Sequence, residues 1–402
     1  MSIHKIKGGI TAIDGIRATG ISAGIKKNGR PDMALIVSDR PCSIAGLFTK
    51  NRCPASSITF NKMQIRSLQG QAIIANSGNA NAATGARGME DTKTIAQITA
   101  QTLGISKSLV YVASTGVIGE PLPIKTMTAS IPKLVSTLSK KGSMAAAEAI
   151  MTTDKMVKEA AFVGRIGSGN IRVGGITKGS GMIHPNMATM LAFLTTDVTM
   201  HPALLQEALR EACDQTFNAI TVDGETSTND LVLLLSTGRA KPIIQKKATA
   251  YRQFVTLLSQ VCLKLARDIV KDGEGATKLV EVRVMGALNH RVAKEIAVSI
   301  GRSLLVKTAF FGQDANWGRI VAAIGNTNSP INLNRLDITF GDTMLLRRGV
   351  YQGKSAENRV STLLQRPEIM LCINLHAGDG LATVWTSDLS YDYVKINAAY
   401  RS

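Results

Sequence analysis

Residues 178–197 read KGSGMIHPNMATMLAFLTTD. A lysine, two glycines and a serine run into a proline–asparagine turn, and a lone hydroxyl, Thr189, then heads an otherwise apolar run. A chain that turns sharply and at once enters a buried strand leaves few choices for what surrounds it. Threonine suits a strand because its β-branched side chain packs well on a pleated surface. It also has a second use. A hydroxyl is a poor nucleophile unless a base sits beside it, and the cheapest base is the residue's own α-amine, freed if the chain breaks just before it. A free α-amine titrates near pH 8 (about 7.7–8.0), so it can accept a proton close to neutrality. Asn186 after Pro185 can hold a strained turn, and Ala188 is small enough for the hydroxyl to approach its carbonyl. From these residues alone both roles stay open.

The rest of the chain narrows the function classes. At 402 residues it is long enough for a sizeable core and for two or three domains. Apolar residues make up 45% and charged residues 19%, as in ordinary globular proteins. The formal charge of +18 raises the question of nucleic acid. Its basic residues are scattered, however, and the densest groups are short, IKK at 25–27 and GRAKPIIQKK at 238–247. No nucleic-acid footprint results. Five widely spaced cysteines without CxxC or Cys/His spacing argue against a disulfide or metal framework and fit a reducing compartment. The start lacks a hydrophobic signal core, and the longest aliphatic run, LVLLL at 231–235, is too short for a membrane span. The expectation is a cytoplasmic protein with no membrane and no nucleic-acid partner.

Along the chain the pattern is α/β without a strict βαβ rhythm. The first fifty residues alternate glycine with small apolar positions, as strands and tight turns do. SGNANAATGARG (77–88) reads as a loop, and helices are predicted over 89–103, 125–150, 201–218, 251–275 and 291–301. After about residue 281 the pattern restarts with a strand, that last helix, another strand and then several short strands to the end. This sets a boundary between residues 1–280 and 281–402.

The self-cleavage reading gains weight from a resemblance. KGSGMIHPNMATML resembles the self-cleaving segment of the ornithine acetyltransferase family, also called glutamate N-acetyltransferase. AGLFTKNR (45–52), NSGNANAATG (76–85), STGVIGEPLP (114–123), MTTD (151–154), DGETSTND (223–230), DGEGATK (272–278), NWGRI (316–320) and YVKINAAYRS (393–402) are similar to family segments in family order. The resemblance implies an αββα sandwich related in design to amino-terminal-nucleophile hydrolases, with a smaller C-terminal α/β domain. It also implies scission between Ala188 and Thr189, giving an α chain of 1–188 and a β chain of 189–402.

The same resemblance implies roles. Thr189 is the nucleophile, and Thr115 and Gly116 form an oxyanion hole whose donors meet the developing negative oxygen. Thr152, Lys178, Glu274, Asn397 and Ser402 contact substrate with Thr189, Lys178 through a carboxylate and Glu274 through an amino group. By themselves, Lys178 reads as a solvated loop residue, Glu274 as a surface acid near a helix end and STGVIG as a glycine turn. Ser402 departs from the family's usual threonine, Ala315 from its proline and Glu225 from its commoner aspartate. His184, in the cleavage turn, is expected to be structural rather than a base.

The implied reaction moves acetyl from N-acetylornithine to glutamate through an acetyl ester on Thr189, in the cyclic route of arginine biosynthesis, without metal or organic cofactor. Acetyl-CoA as a second donor is left open. The α and β chains stay together, as a heterotetramer of two of each. The rival expectations are an amidase or aminopeptidase with the same threonine, and a secondary-metabolism relative that acetylates other amino acids.

Overall fold

A computed structural model describes residues 2–184, 190–241, 243–244 and 248–399, with Ile243 as backbone only. Ala188, Thr189 and Ser402 lie outside the described residues.

The run LVLLL shows how the fold is assembled. It belongs to the strand Leu231–Ser236, and successive side chains of a strand point to opposite faces. Leu231, Leu233 and Leu235 enter one core, whereas Val232 and Leu234 enter another. A strand apolar on both faces must lie between two layers. It pairs in parallel with Leu191–Thr196 and antiparallel with the second half of Met33–Phe48.

That sixteen-residue strand shapes the sandwich. Its pairing with Gln69–Asn79 breaks register between Val37 and Cys42, so its two halves serve two layers. One layer runs Ile3–Lys5, Lys158–Ile166, Gly169–Lys178, Leu191–Thr196 and Leu231–Ser236; the other holds Ile16–Ile21, Gln69–Asn79 and Val110–Val117. Between them Ile36, Ile73 and Tyr111 share a core with Ile176, Phe193 and Leu233. The outer face of the first layer carries the helices Pro202–Asp214 and Thr249–Lys271, which bury Leu205, Leu209, Phe254, Leu258, Val261 and Leu265. The outer face of the second is covered by Gly85–Leu103 and Ile124–Ser136, through Ile95, Ala96, Met127 and Ile131. The order is helix, sheet, sheet, helix, and the class is mixed α/β.

A second sheet runs Ile220–Thr221, Gly380–Ser387, Leu279–Ala287, Glu368–Asn374, Asp337–Phe340, Thr343–Arg347 and Val350–Tyr351. Helices His290–Arg302, Trp317–Gly325 and Lys354–Leu363 contribute to its core. No helix among the described residues is long and apolar enough to cross a membrane.

Local expectations needed three corrections. The helix expected over 125–150 is two helices, Ile124–Ser136 and Ser143–Ala149. The break is a tertiary contact: Ser139 bridges Ala18, and a side chain at Gly142 would strike the Ala18 carbonyl oxygen at 1.8 Å. The loop expected at 77–88 is shorter, because a strand runs to Asn79 and a helix starts at Gly85. The C-terminal region, read as short strands, also contains helices Leu304–Phe311, Trp317–Gly325, Lys354–Leu363 and Tyr391–Ala399.

Strand direction places the chemistry. Lys178 ends its strand opposite Leu191, and Leu191 stands beside Leu231, itself opposite Phe48. Residues 178–184 and Met190 therefore meet the loop 223–230 at one end of the first layer, where Asp223 accepts the amides of Met182 and Ile183 and Asp230 that of Met190. Val110–Val117 brings Thr115 and Gly116 there from the second layer.

Candidate active site

A small cavity of about 80 Å³ opens at that end. Thr115, Gly116, Thr152, Thr153, Lys178, Ser227, Thr228, Asn229, Glu274 and Asn397 all contribute to its wall. Six of the residues singled out from the sequence, Thr115, Gly116, Thr152, Lys178, Glu274 and Asn397, are thus brought together. His184 does not line it; its ring stands 3.4 Å from the Thr221 hydroxyl.

Gly116 holds φ of +132°, which an L side chain rarely adopts. A Cβ there would meet the Gly78 carbonyl carbon at 2.3 Å, so this turn admits no side chain. Beside it, Lys178 Nζ donates to Thr115 Oγ1 at 3.4 Å. A hydroxyl that accepts from an ammonium must aim its own hydrogen elsewhere. Lys178 is buried, and burial pulls its ammonium below the ordinary lysine range, against the attraction of Asp154.

Asp154 organises two walls at once. It accepts the N–H of Thr152 at 2.9 Å and that of Gly179 at 2.8 Å, tying MTTD to KGSG. Lys158 Nζ donates to it at 2.7 Å and to Asp272 at 2.5 Å, with all three side chains at 3% exposure or less. Burial alone would raise the Asp154 carboxyl, but the charges of Lys178 and Lys158 and its hydrogen bonds outweigh burial and hold it below the carboxylate range. Asp272 also accepts the N–H of Lys155, at 3.0 Å, and opens the turn that carries Glu274.

Other anchors complete the frame. Asp223 accepts from the amides of Met182 and Ile183, at 2.5 and 2.9 Å. Asn229 Nδ2 donates to the carbonyls of Ala80 and Ser114, at 2.6 and 2.8 Å, and so joins the two layers. Glu274 N–H donates to Ser180 at 2.8 Å, and Asn397 of the terminal helix donates to the Glu274 carboxylate at 2.9 Å. Among the described lining residues the titratable side chains are Lys178 and Glu274, one cation and one anion.

Asp154, Lys158, Asp272, Asp223 and Asn229 were not singled out from the sequence. For the aspartates the signal was in the motifs: MTTD, DGETSTND and DGEGATK each set an aspartate beside small or hydroxyl residues, and buried backbone amides in such turns need acceptors; Lys158 stands in none of these motifs.

A family model described as the ArgJ family matches residues 17–402. The chain belongs to the ArgJ family. The arginine biosynthesis bifunctional protein ArgJ of Geobacter sulfurreducens is 47% identical over 391 residues, covering 97% of this chain and 100% of that one. The protein of the same name from Symbiobacterium thermophilum is 48% identical over 402 residues, covering 99% of each. Among solved structures, the arginine biosynthesis bifunctional protein argJ of Bacillus halodurans is 42% identical with a TM-score of 0.50, and the match covers 98% of that chain but 52% of this one. Of the segments quoted for the resemblance, STGVIGEPLP, MTTD, KGSG, DGETSTND, DGEGATK and the helix Tyr391–Ala399 contribute to the wall of one cavity in this ArgJ-family chain, and AGLFTKNR and NWGRI do not.

Proposed function

We propose that this chain is an acetyltransferase of arginine biosynthesis that moves an acetyl group from N2-acetyl-L-ornithine to L-glutamate through an acetyl ester on Thr189. The observation that carries the reading is the cavity of an ArgJ-family chain in which Thr115, Gly116, Thr152, Lys178, Glu274 and Asn397 meet immediately beside the strand that follows residue 189.

Scission between Ala188 and Thr189 frees the α-amine. The amine takes the Thr189 hydroxyl proton as Oγ attacks the acetyl carbonyl. The oxyanion faces the Thr115 hydroxyl, whose hydrogen is left free by the bond from Lys178, and the Gly116 backbone. The resulting ammonium returns its proton to the departing ornithine amine. Glutamate enters, its amine attacks the ester, and N-acetylglutamate leaves. A cavity with one cation and one anion suits amino acids: Lys178 meets a carboxylate and Glu274 an ammonium. Thr152, Asn397 and Ser402 complete the contacts, and residues 281–402 form the part that closes over the ester and keeps water from it.

The test is transfer against hydrolysis. Purified protein given N-acetylornithine and glutamate should form ornithine and N-acetylglutamate in equal amounts, with ping-pong kinetics. Free acetate in place of N-acetylglutamate would make it a hydrolase and refute the reading. Since both relatives are named bifunctional, acetyl-CoA belongs in a parallel assay as a second donor. We place the enzyme in the cytoplasm, as two αβ units.

The oxyanion role has its own test. Thr115→Ala should lower kcat about 100-fold, the usual cost of one lost donor, with KM for N-acetylornithine changed by less than about threefold. A change confined to KM would make Thr115 a substrate contact instead.

A further inference from the structure

Gly181 lies in the cavity wall beside Glu274. Its backbone stays outside the left-handed region, so no torsion demands glycine there. Space does. A Cβ at residue 181 would stand 2.4 Å from Glu274 Oε2, 2.5 Å from the carboxyl carbon and 2.7 Å from Oε1. The carboxylate occupies the volume that any other side chain would need.

Both sides of this contact are fixed. Glu274 N–H donates to the Ser180 carbonyl at 2.8 Å, and the Ser180 and Thr153 hydroxyls lie 2.6 Å apart, so the chain at 180–181 is tied to the Glu274 turn and to MTTD. From the other side Asn397 Nδ2 donates to Oε2 at 2.9 Å. Gly275 lets the terminal helix come that close, since a Cβ there would meet the Tyr393 nitrogen at 2.4 Å. The acid of the cavity is thus held between the backbone of residue 181 and the terminal helix.

We propose that Gly181 is a positioning residue that sets donor specificity: the side chain it lacks is the space in which the Glu274 carboxylate stands to meet a distal ammonium group of the donor. The inference rests on the reading of Glu274 as the partner of that ammonium. Lys178 meets the α-carboxylate that every N-acetylated amino acid carries, so it does not tell one such donor from another. Glu274 reads the far end of the side chain, and its reach depends on residue 181. A methyl group at 181 makes the carboxylate withdraw by about 1 Å, since non-bonded heavy atoms settle at about 3.5 Å. The obstructing atoms end a flexible side chain, so the clash is relieved by rotating Glu274 rather than by moving backbone. The substitution should therefore alter selectivity more than stability.

The experiment compares two donors of equal length, N2-acetyl-L-ornithine and N2-acetyl-L-norleucine, in which a methyl group replaces the ammonium. Donor kcat/KM is measured for each with glutamate as acceptor. The natural protein should prefer the charged donor by about 10- to 100-fold, the range of one charge-assisted hydrogen bond. Gly181→Ala should reduce that preference to below about threefold. A purely structural defect would slow both donors alike and leave the ratio where it was. In a Glu274→Asp background, whose carboxylate is one methylene shorter and clears the new methyl group, Gly181→Ala should change the preference by less than about twofold. A Gly181→Ala enzyme with the natural preference, or an equal loss in both backgrounds, would overturn the assignment. Should Gly181→Ala alone give no soluble, cut protein, recovery in the Glu274→Asp background supports the contact, and loss in both makes Gly181 structural and overturns the assignment too. Failure of the underlying reading is separate: a Glu274→Gln enzyme that keeps the natural preference, or natural protein with none, removes Glu274 as the ammonium's partner whatever residue 181 does, and the inference falls with it.

Discussion

Thr189→Ala is expected to leave one uncut chain of 42.8 kDa, where the natural sequence is expected to yield the pieces 1–188 and 189–402. Without the hydroxyl there is nothing to attack the carbonyl of Ala188, so the α-amine is never released. The same change removes the atom that would carry the acetyl group. Loss of scission, base and nucleophile together should lower transfer by about 10⁴-fold or more, the range seen when a covalent nucleophile is deleted. Thr189→Ser keeps the hydroxyl and should still be cut, with measurable transfer. Intact mass and the rate of N-acetylglutamate formation read both results. A Thr189→Ala chain that transfers acetyl at the natural rate would place the chemistry on another residue.

Lys158→Met should have the largest effect on stability. Its ammonium lies between the carboxylates of Asp154 and Asp272 with no exposure to solvent. Removing one member of a buried ion network leaves uncompensated charge, at a cost of about 3–5 kcal/mol. The damage reaches the site, because Asp154 also holds the Thr152 and Gly179 amides and Asp272 holds the turn to Glu274. The pH dependence has a definite sign. In the natural protein the Asp154 carboxyl is held below its unfolded value of about 3.9, so its stabilisation is fully present above that pH. It is lost as pH falls through the lower folded value. The variant lacks much of that contribution, so its deficit in urea unfolding should be greatest near pH 7 and shrink below about pH 4. A deficit that does not vary with pH would mean that lost packing, not charge, sets the cost.

The candidate site was legible through the resemblance rather than through its residues taken singly: by themselves Lys178 reads as a solvated loop residue, Glu274 as a surface acid and STGVIG as a glycine turn, yet Thr115, Gly116, Thr152, Lys178, Glu274 and Asn397 line one cavity. The acids that hold those motifs were less visible. Asp154 was not singled out, since an aspartate in a sequence does not reveal whether it is solvated or buried beside a lysine some 25 positions away.

The sequence by itself determined the local terms: the aliphatic run at 231–235, the amphipathic helices expected over 201–218 and 251–275, and the turn-rich segment ahead of residue 189. Each rests on side-chain periodicity or backbone preference within a few neighbours. Only the tertiary structure decided that the strand Met33–Phe48 bends to serve both layers, that the helix after Ile124 breaks where Ala18 passes Gly142, and that Lys158 is shared between the nearby Asp154 and Asp272 from a distant turn. Those outcomes depend on contacts between residues far apart in the chain, and burial, which sets their energies, exists only once the layers have closed.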